Sequence, residues 1–219
     1  MFSRISNLFA NPLQVLYTLP AILIGLTVHE WAHAYAAYRL GDPTARNLGR
    51  MTLNPFAHID PFGFICLLLV GFGWAKPVPV NPRNFHKFKR DDAIVSLAGI
   101  TANLVVAFLF TLVLYGGIML GNLGNNAAFI SIFSSIVVIN LSLMIFNLLP
   151  IYPLDGSHIF ESLFIRRFPR FFMFMHQYGQ WILILLLLTG VLSGLLSTVV
   201  GWILNGFSSL AIGLFNLFV

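Results

Sequence analysis

The sequence predicts an all-α polytopic membrane protein of about five to six apolar helices, interrupted once by a re-entrant or interfacial β-like hairpin. Three observations carry that prediction. The 219-residue chain is 58% hydrophobic and only 9% charged, with a mean hydropathy of +0.87, far from an ordinary soluble domain. Its apolar residues fall in runs that reach the ~20 residues a helix needs to cross a bilayer. Its 12 Lys and Arg outnumber its 7 Asp and Glu, but they lie in the segments flanking those runs. The net charge of +5 and pI near 9.7 therefore report topology and leave no basic face for nucleic acid.

The first span is expected over residues 13–40, stopped by Gly41-Asp42-Pro43. Arg4 ahead of it suggests a secretory signal, but the run continues through His33 without a small-residue cleavage site, so it reads as a retained span. A turn-rich stretch follows, from Asn54-Pro55 to Asp60-Pro61. Residues 64–74 are apolar but too few to cross, and Ala75-Lys76-Pro77-Val78-Pro79-Val80-Asn81-Pro82 favours extended backbone. Together they give the hairpin, residues 62–80, in which Gly71-Phe72-Gly73 permits close backbone approach. A crossing is the rival reading.

Spans near 92–120 and 129–150 come next, joined by an uncharged loop around 121–126. The Phe-rich stretch 168–174 reads as an interfacial helix. Residues 178–218 are too long for one span and read as one span plus a second span or an interfacial helix, with Ser193-Gly194 and Asn205-Gly206 as candidate breaks. The simplest organisation is one membrane-embedded domain over 1–219, with a core at 13–156 and C-terminal apolar helices at 178–218. The single cysteine, Cys66, leaves no disulfide framework and no cysteine pair for a zinc knuckle.

If residues 64–74 do not cross, Arg39, Arg46, Arg50, Lys76, Arg83, Lys87, Lys89 and Arg90 share one side with Arg166, Arg167 and Arg170. The positive-inside rule makes that side cytosolic. The expectation is a multi-pass protein of the cell membrane with a short external N-terminus.

Inside the first span stands His29-Glu30-Trp31-Ala32-His33, roughly 10 to 16 Å from its polar end. Residues four apart on a helix differ by about 40° and about 6 Å, so both imidazoles can face one ion. Two neutral imidazoles suit zinc, and a neighbouring carboxylate that does not ligate, Glu30, can take a proton from the attacking water. The competing account is a packed histidine pair, but an ionisable Glu in hydrocarbon costs several kcal/mol unless something compensates it.

A third ligand is needed, and Asn147-Leu148-Leu149-Pro150-Ile151-Tyr152-Pro153-Leu154-Asp155-Gly156 offers Asp155 on the same side. The prolines unwind the helix and Gly156 lets the backbone turn, so the carboxylate can aim back into the bundle. A solvated interfacial turn is the alternative. His58 reads as a satisfied interfacial histidine, a substrate contact or an auxiliary ligand. Asn103 and Asn140 read as helix-to-helix contacts, and His86, His158 and His176 are assigned no chemistry.

Together these residues resemble the site-2 protease family of intramembrane zinc metalloproteases, over most of 26–156. The resemblance rests on H-E-x-x-H followed by N-x-x-P-x-x-x-L-D-G, both in apolar helices, and on the segments Ser96 to Asn103 and Ala75 to Pro82, which look like its compact prokaryotic branch. Ile100 stands where the family often has proline. The resemblance implies one Zn2+ per chain held by His29, His33 and Asp155, Glu30 as catalytic acid/base, and Asn147 as a contact for substrate backbone or oxyanion. Its alternative is an interhelical hydrogen bond. The implied reaction is cleavage within or beside a transmembrane segment of a membrane-anchored protein, with the site towards the cytosol and the unwound substrate adding a strand to the hairpin. The sequence offers no insertion for a peptide-binding domain and no soluble regulatory domain, so substrate choice is expected to rest on the membrane domain or a regulatory membrane partner. Rival classes are a membrane-embedded metalloprotease acting on non-transmembrane chains and a metal or proton transporter.

Overall fold

Backbone in an apolar setting must satisfy its own hydrogen bonds, and this chain does so almost wholly with helices. The computed structural model describes residues 12–70 and 73–217. Of the described residues 78% are helical and none lies in a strand. In chain order the helices are α1 (Pro12–Arg39), α2 (Thr44–Asn47), α3 (Pro61–Val70), α4 (Phe88–Met119), α5 (Ala127–Leu148), α6 (Asp155–Phe164), α7 (Pro169–Leu188) and α8 (Val191–Phe215). Five of them, α1, α4, α5, α7 and α8, are long and apolar enough to cross a membrane. The chain is a membrane protein.

Helices α1, α4 and α5 pack side by side. Small, fully buried residues serve this packing: Ala37 of α1 clusters with Val95 of α4, and Ala107 of α4 with Val137 and Leu141 of α5, which favours association where lipid is as apolar as the core. Ile100 and Ala107 of α4 meet Val137, Leu141, Met144 and Ile145 of α5, and Val200 of α8 closes that cluster. Leu183 of α7 and Leu192 of α8 pack on Leu154 ahead of α6.

The apolar C-terminal stretch resolves into two long helices. The break falls at Thr189-Gly190, where Gly190 has φ +74°, a left-handed conformation glycine adopts without strain. It does not fall at Ser193-Gly194 or Asn205-Gly206, which continue within α8. Likewise the Phe-rich stretch after Phe168 is the start of α7, because Pro169 opens a helix that continues through the buried Gly179 to Leu188. Phe218 lies outside the described residues.

Residues 62–80 depart from a β-like hairpin. Residues 61–70 form helix α3, since a lone strand without a neighbour would leave its backbone unpaired while a helix closes its own bonds. Its ten residues rise about 15 Å, half the ~30 Å hydrocarbon core. The chain then returns, and one isolated antiparallel bridge joins Ile59 to Ala75, with Lys76 N donating to His58 O at 2.8 Å. The expected close approach is present at Gly73, where a Cβ would stand 2.0 Å from Gly63 O; Gly71 and Phe72 lie outside the described residues.

The extended residues 73–81 are strapped to α1 and its C-terminal loop. Val78 N donates to Glu30 Oε2 at 2.8 Å, Asn81 N to Asp42 Oδ2 at 2.7 Å, and Arg50 Nη2 to Lys76 O at 2.8 Å. Asp42, fully buried, also accepts from Thr44 N at 3.1 Å, from the Thr44 hydroxyl, and from Asn84 Nδ2 at 2.7 Å. Burial pushes the Asp42 carboxyl up, but the hydrogen bonds from Thr44, Asn81 and Asn84 outweigh it and hold it below the ordinary carboxylate range.

Asp42→Ala should therefore destabilise the purified protein by about 1–3 kcal/mol at neutral pH and open residues 73–84 to limited proteolysis. A group with a depressed native pKa stabilises above its unfolded value of about 3.9 and loses that contribution as pH falls through the native pKa. The gap in thermal midpoint between the two proteins should accordingly hold down to pH 5 and shrink in stronger acid.

Candidate metal centre

His29 and His33 lie one turn apart on the face of α1 that meets α4. Both are buried, and their Nε2 atoms stand 2.9 Å apart with the rings nearly perpendicular. Asp155, the first residue of α6, brings Oδ2 to 3.2 Å from His29 Nε2 and 3.3 Å from His33 Nε2. Among the described residues these three form the one group of this kind able to hold a metal ion.

Local sequence explains each approach. Helix α5 ends at Leu148, and the segment containing Pro150 and Pro153 turns the chain before α6 begins. Gly156 packs against the end of α5, where a Cβ would stand 2.3 Å from Leu148 O and 2.4 Å from Leu149 O. That corner carries the Asp155 carboxylate to the histidines. On the opposite wall, a Cβ on Gly99 of α4 would meet His33 Cε1 and Nε2 at 2.6 Å and His29 Cε1 at 2.8 Å. Only glycine lets α4 come this close.

The hydrogen bonds define the tautomers. His33 Nδ1–H donates to Val95 O at 2.8 Å, a carbonyl that can only accept. His29 Nδ1 faces Asn103 Oδ1 at 2.7 Å, and the amide is oriented because Asn103 Nδ2 donates to Gly25 O at 3.0 Å and to Asn140 Oδ1 at 2.9 Å. With both Nδ1 atoms protonated, each neutral ring presents a bare Nε2 lone pair. Two lone pairs thus face a carboxylate oxygen that is buried and has no hydrogen-bond donor. Three converging acceptors repel one another unless a cation lies among them. Two imidazole nitrogens and one carboxylate oxygen are a zinc donor set, and their outer nitrogens are held as ligating histidines are. The residues fit the metal.

The remaining candidates are distributed around this group. Glu30 is buried beside it, with Oε2 held by Val78 N. Asn147 is half-buried on α5 and donates to Leu143 O of its own helix at 3.0 Å, so it is not an interhelical bond. His58 is fully buried, its Nε2–H on Thr52 O at 2.8 Å and Nδ1 without a partner, and it stands outside the His29, His33 and Asp155 group. Asn103 and Asn140 do bond helix to helix, and Asn103 also supports a histidine. His158 pairs with Asp92 at 2.8 Å, which raises its pKa, and His176 pairs with Glu161 at 2.7 Å.

Sequence reasoning missed the supporting shell of Val95, Gly99 and Asn103. Their spacing of four puts them on one face of α4, so the Gly99 and Asn103 pair was a readable stripe. The Val95 carbonyl and Val78 amide are main-chain groups and carry no residue signature.

Gly99→Ala should force the imidazoles apart and weaken zinc retention about 10-fold or more, read by chelator competition on purified protein whose helicity is unchanged. Retention equal to the parent would mean that the rings do not depend on this approach.

Comparison with known proteins bears on this geometry. Residues 114–190, which include Asp155, match the model of peptidase family M50. The protein named "Putative zinc metalloprotease YwhC" from Bacillus subtilis is 47% identical over 152 residues, 67% of this chain and 68% of its own length. "Putative zinc metalloprotease Rip2" of Mycolicibacterium smegmatis is 32% identical over 184 residues, 82% of this chain and 70% of its own. Its Mycobacterium tuberculosis H37Rv namesake is 30% identical over 190 residues, 84% and 71% of the two chains. No solved structure matches significantly. On the strength of these relatives and of the motifs that carry the resemblance, the chain belongs to peptidase family M50, the site-2 protease family.

Proposed function

We propose that the protein is an intramembrane zinc endopeptidase, cutting a peptide bond within or beside a transmembrane segment of a membrane-anchored protein. The observation that carries this reading is the convergence of His29 Nε2, His33 Nε2 and Asp155 Oδ2, 2.9 to 3.3 Å apart, beside a buried carboxylate, Glu30. The names of the relatives, zinc metalloproteases, support it.

His29, His33 and Asp155 would hold one zinc ion per chain. Bound there, zinc would supply Lewis acidity towards a carbonyl and would lower the pKa of water. Glu30 takes the proton of the attacking water and returns it to the leaving amine nitrogen. Its Oε2 is committed to the Val78 amide, so Oε1 is the oxygen left for this transfer. Burial of His29, Glu30 and His33 strengthens each charge interaction among them.

A helical peptide bond is shielded by its own hydrogen bonds, so the substrate enters locally unwound. Backbone pairing along residues 76–79 is restricted: Lys76 N and Val78 N are engaged and Pro77 and Pro79 have none. A substrate strand there finds carbonyls but no free amide, which argues against a continuous ladder on this stretch.

The protein lies as a multi-pass chain in the cell membrane with the site towards the cytosol. Helix α3 is about half a bilayer long and its flanks meet at the Ile59 to Ala75 bridge. This supports one side for the basic residues from Arg39 to Arg90 and the opposite side for the uncharged loop holding Leu123–Asn125.

Glu30→Gln should keep its zinc and lose about 10²–10⁴-fold in cleavage of a tagged transmembrane peptide, because only the proton acceptor is removed. Asp155→Ala should lose zinc as well as turnover. Zinc lost from the Glu30 variant as fully as from a His29→Ala, His33→Ala double variant would make Glu30 a ligand, and zinc kept by the Asp155 variant would take Asp155 out of the ligand set and put His58 first in its place. For topology, single cysteines at Arg46, Lys87 and Arg167 on a Cys66→Ala background should label from the cytosol and one at Asn125 from outside. Opposite labelling at Arg46 and Lys87 would make α3 a crossing.

A further inference from the structure

Two asparagines in apolar helices, Asn103 on α4 and Asn140 on α5, are both fully buried and form one chain of hydrogen bonds that ends on His29. We propose that Asn103 is a positioning residue that holds His29 in its metal-ligating tautomer, and that Asn140 acts on the metal centre only through Asn103. The inference rests on the metal reading above and adds to it residues that touch neither metal nor substrate.

The direction of the chain is set at its far end. Asn140 Nδ2 donates at 2.8 Å to Ile136 O, which can only accept, so Asn140 Oδ1 is the atom turned towards α4. There it accepts from Asn103 Nδ2 at 2.9 Å. The second hydrogen of the same amide goes to Gly25 O at 3.0 Å, another obligate acceptor. Both Asn103 donors are thereby spent and Oδ1 is left for His29 Nδ1 at 2.7 Å. That nitrogen must carry the proton, so in the neutral ring Nε2 is the bare, ligating nitrogen.

A reversed Asn103 amide would turn its NH2 on His29 Nδ1 and its oxygen on Gly25 O and Asn140 Oδ1. The histidine would then be protonated at Nε2 and unable to ligate through it. Helix α5 contributes no ligand from its own residues, yet through this chain it fixes a ligand on α1. Room for the crossing comes from Gly25, where a Cβ would meet Leu143 Cδ1 at 2.7 Å and Asn140 Oδ1 at 3.4 Å. The other ligand on α1, His33, takes the same tautomer from the Val95 carbonyl and needs no such chain.

The test is zinc affinity of the purified full-length protein, by chelator competition, in a double-mutant cycle. Asn103→Leu should weaken zinc binding about 10–100-fold, the usual effect of losing a ligand's outer hydrogen bond, and Asn140→Leu about 3- to 10-fold. In the Asn103→Leu background, Asn140→Leu should add nothing to the loss of affinity. Thr111→Val is the control: Thr111 is fully buried on α4 and bonds Ala107 O of its own helix, so it should lower the thermal midpoint and leave zinc affinity alone. Additive losses in the double variant, or an Asn103→Leu protein that is less stable but binds zinc as the parent does, would overturn the relay. His29→Ala separates the two readings: unchanged zinc affinity there would overturn the metal assignment itself, and the relay with it.

Discussion

The approach of α4 to the histidine face of α1 is the constraint around which the rest of the molecule is arranged. Gly99 sits where any side chain would enter the two imidazoles, and one turn to either side α4 supplies the group that holds each ring: the Val95 carbonyl for His33 and the Asn103 amide for His29. The two histidines belong to α1, but the groups that fix their rings belong to α4. Once the two helices are locked at this distance, α5 must pack where Asn140 meets Asn103, and its end must release the chain so that Asp155 reaches the open side of the pair.

Polar groups in this protein are placed as an apolar surrounding requires, each with a partner that limits its orientation. A buried amide or carboxylate without one costs several kcal/mol where no water can replace the bond. Asn103, Asn140, His33 and Glu30 all end on main-chain groups, whose donor or acceptor character cannot change. Among the described residues three buried side-chain atoms are exceptions, Arg50 Nε, His58 Nδ1 and Asp155 Oδ2, and the last is informative. Asp155 Oδ2 has no donor, and it is the atom that faces the two imidazole nitrogens.

The strap of residues 73–81 links the site to the aqueous boundary. Prolines on either side of Val78 remove the neighbouring amides, so its N–H is the lone backbone donor of residues 77–79, and it is spent on Glu30. Asp42, Arg50 and the His58 carbonyl hold the strap from the loops between α1 and α3, while Val78 itself packs on Ala34 and Ala45. The orientation of the carboxylate beside the metal site thus depends on a loop that has no regular secondary structure of its own.

Much of this was readable in the residues. The apolar runs specified α1, α4 and α5 to within a few residues, because a helix long enough to cross is dictated by composition alone. His29 and His33 announced themselves by their spacing of four, and Pro150, Pro153 and Gly156 marked the corner from which Asp155 turns inwards. What depends on one element finding another was not legible. Residues 61–70 became a helix because no strand stood beside them, and the break between α7 and α8 fell at Gly190, where the backbone takes a left-handed turn, although the other Gly-containing breaks had equal claims in the sequence. The support of His33 by Val95 and of Glu30 by Val78 comes from main-chain atoms, which every residue carries alike. Sequence determined which side chains can bind a metal; only packing decided which backbone atoms hold them in the form that does.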